Sequence, residues 1–296
     1  MNSPIRKGII LAGGTGSRLY PATLSLSKQL LPLYDKPMIY YPISILMQLG
    51  IRDILVVATP AHLPIFMKLL QVGHQFGVHL QYLAQPFPDG IAKPFVQANH
   101  FINDEPVAMI LGDNIFYGDN LIDQLKTAMR SLSGAHIFAY PVADIRAYGA
   151  VKFDQHYQPI ALIEKPAVCQ SGYAVTGLYY YDNQVSDFAH QIEHSYRGEL
   201  EITDINQCYL NRAQLMVDRL DAVNTTWFDL GSAESLLMAA QFVAAWQKKE
   251  NKIMACLEAI AYQNQWISQK ELATQVHRLP KNDYQRYLLH VLEGTA

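Results

Sequence analysis

The stretch Gly8-Ile-Ile-Leu-Ala-Gly-Gly-Thr-Gly-Ser-Arg-Leu-Tyr-Pro-Ala-Thr-Leu-Ser-Leu-Ser-Lys-Gln-Leu-Leu-Pro32 decides how the rest of the chain is read. Ile9-Ile10-Leu11 is a short apolar run with β-branched residues, which predicts a buried strand. It runs directly into Gly13-Gly14-Thr15-Gly16-Ser17-Arg18. Glycines at that density let the backbone approach a ligand and aim successive N–H groups at one point, a cradle suited to phosphate oxygens. Arg18 adds a planar fork of donors, and Lys28 a second positive charge. Two commoner phosphate loops do not fit. A P-loop needs a second glycine where Arg18 stands, and a dinucleotide fingerprint needs a third where Leu19 stands.

Composition narrows the field. The chain has 296 residues, 50% of them hydrophobic, enough for a sizeable core. A formal charge of −3 argues against general nucleic-acid binding, which favours a basic surface. Cys169, Cys208 and Cys256 are far apart and form no Cys-x-x-Cys, so neither a zinc site nor a disulfide framework is expected. The apolar run after Arg6-Lys7 is too short for a signal sequence, and no stretch has the length to span a bilayer. A soluble, cytoplasmic protein is expected.

Downstream of the glycines, short apolar strands alternate with helices. Met38 to Leu49 reads as a mostly buried helix closed by Gly50, Asp53 to Ala58 as a strand, and His62 to Leu70 as a helix. Leu80 to Leu83 reads as a strand, Ile91 to Phe101 as a helix, and Val107 to Leu111 as a strand. This alternation predicts an α/β fold with a mostly parallel, doubly wound sheet whose ligands gather at the carboxyl ends of its strands. From Ala135 the strands are closely spaced (136–140, 150–153, 160–163 and 174–181), which predicts a partly antiparallel extension. Tyr179-Tyr180-Tyr181 alternates across the last of them, so one face is expected in the core. Leu215 to Leu220 is a further strand. Ser232 to Lys249 is a helix, and Ser268-x-x-Glu271 is a capping box before a helical tail. The whole is expected to be one domain, with residues 1–231 as its α/β core and 232–296 packed on it.

Four further segments carry candidate chemistry. Asp113, in Gly112-Asp113-Asn114, follows a strand and suits a hard cation; Asp229 is a second carboxylate that gains interest only beside it. Glu164-Lys165-Pro166 ends a strand, where the proline can break the pleat and turn both side chains toward a ligand. Gln85, just after a strand, carries an amide that offers both an acceptor and a donor. Arg197 to Asp204 is an unusually polar run that reads locally as a solvated helix start. The ten histidines show no metal-ligand spacing.

Taken together, Leu-Ala-Gly-Gly-x-Gly-x-Arg-Leu with Ser-Lys-Gln-Leu-Leu-Pro, Gln85-Pro-x-Pro-Asp-Gly90, Leu111–Gly118, Tyr148-Gly149, Glu164-Lys165-Pro166, Val175–Tyr179, Arg197–Asp204 and Asp229 match in order one family. The chain resembles the sugar-1-phosphate nucleotidyltransferases, most closely those that make dTDP-glucose. The resemblance implies that Leu11, Gly13, Gly14, Thr15, Gly16, Ser17, Arg18 and Lys28 hold dTTP, with Gln85, Pro88 and Gly90 around the thymine base. It implies that Asn114, Tyr148, Gly149, Glu164, Lys165 and Val175 hold glucose 1-phosphate, and that Asp113, also at the nucleotide, binds Mg2+ with Asp229. Arg18, Lys28 and Lys165 are then the catalytic cations, and a homotetramer is implied as the assembly. Three positions depart from the family's pattern. Lys93 stands where relatives carry an amide, Lys152 where they carry an acid, and Leu230 where they carry a threonine beside the metal ligand. Uridylyl transfer, another sugar phosphate, and a weakly catalytic nucleotide-sugar sensor therefore stay open as alternatives.

Overall fold

The computed structural model describes residues 5–295. In chain order the strands are β1 (Lys7–Leu11), β2 (Pro32–Leu33), β3 (Lys36–Pro37), β4 (Asp53–Ala58), β5 (His79–Ala84), β6 (Val107–Leu111) and β7 (Asn114–Gly118). They continue with β8 (Ala135–Val142), β9 (Gly149–Phe153), β10 (Pro159–Glu164), β11 (Gly172–Tyr181), β12 (Leu215–Arg219) and β13 (Thr225–Asp229). The helices are α1 (Tyr40–Gln48), α2 (Leu63–Leu70), α3 (Lys93–Gln97), α4 (Asn99–Ile102), α5 (Leu121–Arg130) and α6 (Val185–Gln191). They end with α7 (Ile202–Asn211), α8 (Ala233–Glu250), α9 (Leu257–Gln263), α10 (Gln269–Arg278) and α11 (Asp283–Glu293).

The fold is the expected α/β sheet. Strands β6, β1, β4 and β5 lie side by side and parallel, and β11 joins β6 antiparallel to begin the extension formed with β8, β9, β10 and β12. Register matters most at the carboxyl edge. Leu11 pairs with both Val57 and Leu111, and Ala58 with Ala84, so the loops after four strands start level with one another. Two backbone bonds beyond the ladder hold that edge: Gly112 donates to Leu11 at 2.9 Å and Gln85 to Ala58 at 2.9 Å.

Both faces of the sheet are covered, which is why its strands read as near-continuous apolar runs. Ile10, Val56 and Ile110 face a core filled by α1, α2 and the tail; Ile9, Val57 and Met109 face one filled by α3, α6 and α7. The tyrosine triplet is therefore buried on both faces and not on one: Tyr180 enters the first core, Tyr179 and Tyr181 the second. The tail packs on its own chain. Asn264 Nδ2 donates to the Met47 carbonyl at 3.0 Å, Gln275 Nε2 to that of Gln75 at 3.0 Å, and Arg52 stacks over Trp266. Gly50, with φ 86°, ends α1 in the left-handed conformation that glycine adopts without strain.

One local expectation changes. The helix expected over Ile91–Phe101 is the pair α3 and α4, meeting at Ala98. Pro94 sits in the first turn of α3, where it has no N–H to extend a helix from upstream, and Ala92 donates instead to the Leu200 carbonyl at 3.2 Å. The motif after Gly112-Asp113 is a strand, β7, which pairs antiparallel with β13 in a small separate sheet.

That pairing also accounts for Leu230. Its side chain is fully buried with Leu33, Met38, Ile115, Ala239 and Val243, under α8, and so points away from the Asp229 carboxylate. Truncating it should leave a cavity costing about 2–5 kcal/mol. Leu230→Ala is expected to lower the urea midpoint accordingly; an unchanged midpoint would contradict this packing.

Candidate active site

Two cavities open at the carboxyl edge and meet at Asp113. The first, about 420 Å3, is lined by Leu11, Gly13, Gly14 and Thr15 from the glycine loop, by Gln85, Pro88 and Gly90, and by Asp113. The second, about 200 Å3, is lined by Arg18, Asn114, Tyr148, Gly149, Glu164, Lys165 and Val175, with Asp113 and Asp229. Glu199, Ile91 and Leu111 border both. Gly16, Ser17 and Lys28 line neither. Gly16 has φ 59° and would drive a Cβ to 2.8 Å from Thr23 Cγ2, so its place is to turn the loop into the short helical turn Ser17–Leu19.

The cradle is braced from beneath. Ser27 Oγ donates to Gln29 Oε1 at 2.6 Å, and Gln29 Nε2 to the Gly13 carbonyl at 3.3 Å. Between them, Lys28 reaches across and pairs with Asp113 Oδ2; both side chains are largely buried. Arg18 is not in the cradle. It stands at the second cavity against Gly231, where a Cβ would come within 2.2 Å of its Nη2. Glycine at 231 thus makes room for the guanidinium, a need the sequence alone did not reveal.

Asp113 and Asp229, far apart in sequence, are brought together through one register. Asn114 pairs with Asp229 across β7 and β13, and Leu230 N donates to the Asp113 carbonyl at 3.0 Å. Burial, reinforced by the charge of Asp113, pushes the Asp229 carboxyl above its usual range, against the opposing pull of Lys28 and Arg18. A carboxylate pair held under that strain fits a divalent cation. Among the described residues no group of three or more His, Cys, Asp or Glu side chains is placed to hold a metal. Two carboxylates, with the remaining positions left to phosphate and water, match the habit of Mg2+. Asn114 is occupied inside the protein: Oδ1 accepts from Trp227 Nε1 at 2.7 Å and Gly177 N at 3.1 Å, and Nδ2 donates to Asp113 Oδ1 at 3.3 Å.

The wall of the second cavity bends as the proline suggested. Lys165 has φ 41°, and its N–H donates to the Tyr148 carbonyl at 3.0 Å, so consecutive Glu164 and Lys165 both face the space. Thr203 Oγ1 donates to Glu164 Oε2 at 2.5 Å. Arg197 is not solvated. It binds Glu201 through Nε at 3.1 Å and Nη2 at 3.0 Å, Glu199 at 2.5 Å, and lies 4.0 Å from Glu164. The polar run expected to start a solvated helix does lead into α7, but its charged side chains wall the second cavity, with the one guanidinium of Arg197 shared among three carboxylates. Glu199 and Glu201 lie within four residues of Arg197, but Glu164 is remote in sequence, so local reading could not find that contact.

Gln85 also differs from expectation. Its Nε2 donates inward to Asp89 Oδ1 at 3.0 Å and to the Gly90 carbonyl at 3.3 Å, while Oε1 is buried without a partner. Only an acceptor is left for a ligand. Of the departures, Lys152 is exposed and lines neither cavity, and Lys93 pairs with Asp89.

A phosphate cradle and a polar chamber sharing one carboxylate, at the carboxyl edge of a parallel sheet, define a nucleotide-handling transferase. The chain belongs to the nucleotidyl transferase family, whose profile matches residues 7–245. It is 49% identical to a glucose-1-phosphate thymidylyltransferase of Neisseria gonorrhoeae, across 97% of this chain and 99% of that one. It is 48% identical to the protein of that name from Mycolicibacterium smegmatis, again across 97% and 99%. A crystal structure from Bacillus anthracis, of a proposed glucose-1-phosphate thymidylyltransferase with sucrose, superposes with TM-score 0.73 at 38% identity, covering 80% and 94% of the two chains. A UDP-glucose pyrophosphorylase shares the fold, with TM-score 0.71 at 20% identity over 82% of this chain and 99% of that one.

The Gly231 contact gives a test of Arg18 that leaves Arg18 itself in place. Gly231→Ala should displace the guanidinium and lower turnover at least about tenfold, with circular dichroism and melting temperature near wild type. Full activity in that variant would show that the position of Arg18 is unimportant.

Proposed function

We propose that this protein transfers a thymidylyl group from dTTP to glucose 1-phosphate, giving dTDP-glucose and pyrophosphate with Mg2+ held by Asp113 and Asp229. The observation that carries the reading is the meeting of the two cavities at Asp113, which brings a triphosphate in one within reach of a sugar phosphate in the other. The names of the relatives support the substrates.

The chemistry asks little of a nucleophilic side chain. A sugar 1-phosphate is mostly dianionic at neutral pH, its second pKa being about 6. Its oxygen attacks the α-phosphorus in line, the new P–O bond forms, and the bond to the bridging oxygen breaks with its electron pair leaving on pyrophosphate. What must be overcome is repulsion between two anions. Mg2+, when bound, supplies charge neutralisation at the α-phosphate. The glycine-loop N–H groups orient the triphosphate, and Arg18 offsets charge at the reacting centre from the second cavity. Lys165 pairs with the sugar phosphate, Glu164 with sugar hydroxyls, while Lys28 holds Asp113 in place. Gln85 Oε1 accepts from N3–H of thymine, with Pro88 and Gly90 flanking the ring.

Uridine nucleotides carry the same N3–H, so UTP is expected as a weaker substrate. Cytosine presents a lone pair at that atom, and a buried acceptor facing it is left unpaired. We assign the protein to the cytoplasm, where these substrates are made; among the described residues no helix is long and apolar enough to cross a membrane. A homotetramer is the assembly proposed, and exposed Leu237 and Met238 on α8 are consistent with a covered face.

Pyrophosphate release across a panel of triphosphates and sugar phosphates tests the reading. dTTP with glucose 1-phosphate should be preferred, and CTP and ATP poor; equal use of ATP would refute the place given to Gln85. Asp113→Asn and Asp229→Asn should each remove most turnover with the fold retained. Arg18→Ala should lose at least about ten- to a hundred-fold, as expected for one charge-assisted contact. Normal rates in Asp113→Asn, with Mg2+ still needed, would remove the metal assignment.

A further inference from the structure

The loop that carries Gln85 is held in two separate ways. Its backbone is clamped: Leu200 N donates to the Asp89 carbonyl at 2.8 Å, and Gly90, with φ 111°, lies so close that a Cβ would sit 2.2 Å from the Leu200 carbonyl oxygen. Its side chains form a chain of charge. Lys93 Nζ lies 3.6 Å from Asp89 Oδ2, and Asp89 Oδ1 accepts from Gln85 Nε2 at 3.0 Å. Gln85 lines the first cavity, is 6% exposed, and keeps its Oε1 as a buried acceptor without a partner, so the amide is held in one of its two orientations. That orientation is settled by chemistry, since Asp89 and Gly90 both present acceptors and only the NH2 end can face them.

We propose that Lys93 is a positioning residue for base selection. By holding the Asp89 carboxylate against Gln85, it keeps the Gln85 amide from turning over, and so keeps this end of the cavity an acceptor. The inference rests on the reading that Gln85 meets the base. An acceptor there pairs with a ring N–H, as in thymine and uracil, and rejects the ring lone pair of cytosine. Without Lys93, the Asp89 side chain, 23% exposed, turns to water, and only the Gly90 carbonyl still holds the NH2 group. The flipped amide then offers a donor, which cytosine accepts. Lys93 touches neither reacting phosphorus nor metal carboxylate, so the effect falls on nucleotide affinity and choice and not on the chemical step. The Leu200 clamp is independent of Lys93, so the loop keeps its path in the variant.

The test uses the whole enzyme and compares wild type with Lys93→Met, Lys93→Arg and Gln85→Ala. Initial rates of pyrophosphate release with dTTP and with dCTP give kcat and KM for each, and calorimetry gives dTTP binding without sugar phosphate. For Lys93→Met, KM for dTTP should rise about tenfold, with kcat within about threefold, and the dTTP preference over dCTP should fall about tenfold. Lys93→Arg should restore both, because it restores the charge. An unchanged dTTP to dCTP ratio in Lys93→Met overturns the proposal, and so does a loss that falls equally on both nucleotides. Gln85→Ala separates the two levels. If it leaves the wild-type ratio intact, the base-reading role of Gln85 fails. If it collapses the ratio while Lys93→Met does not, the positioning role of Lys93 alone fails.

Discussion

The pairing of Lys28 with Asp113 joins the parts of this site that would otherwise repel. Lys28 belongs to the turn that braces the glycine loop, and Asp113 follows the strand next to β1. Neither group is well solvated, so losing one partner leaves a largely buried charge uncompensated, at a cost on the order of 3–5 kcal/mol. The pair fixes the cradle to the sheet edge and sets Asp113 between the two cavities. Asp229 then comes in beside it through the β7–β13 register, and Arg18 stands on the other side. The site is an arrangement of charges in which the carboxylates of Asp113 and Asp229 each have a cation near them.

Much of this was legible in the sequence because it is local. The glycine run follows its strand directly, Asp113 follows another, and the alternation of strands and helices fixes which edge they share. Pro166 announced the bend that turns Glu164 and Lys165 together. What escaped notice depends on contacts between distant segments. The strand at Asn114–Gly118 is short and gains its identity from a partner more than a hundred residues later. Arg197 and Thr203 read as a polar helix start until Glu164 is placed beside them. Gly231 looks like an ordinary turn residue until the Arg18 guanidinium is set against it. Ile91 and Ala92 look helical because they are apolar, but the Ala92 N–H goes to the Leu200 carbonyl.

The three departures from the family's pattern separate once their surroundings are known. Leu230 faces a core beneath α8, so exchanging threonine for an isobutyl group changes packing without touching the carboxylates. Lys152 stands in solvent. Only Lys93 is coupled to the site, and only through two other side chains. Nothing in these three positions removes a residue that the transfer needs, so they favour an active enzyme over a silent sensor.

The clamp between Gly90 and Leu200 has a consequence for anyone who would re-engineer the protein. Leu200 lies between Glu199 and Glu201, whose carboxylates bind Arg197 in the wall of the second cavity. The loop that carries Gln85 and the wall that carries Arg197 are thus one mechanical piece. Residues 85–93 cannot be exchanged among homologues as a self-contained cassette. A graft must carry residues 197–203 with it, or a change made in one cavity will be felt in the other.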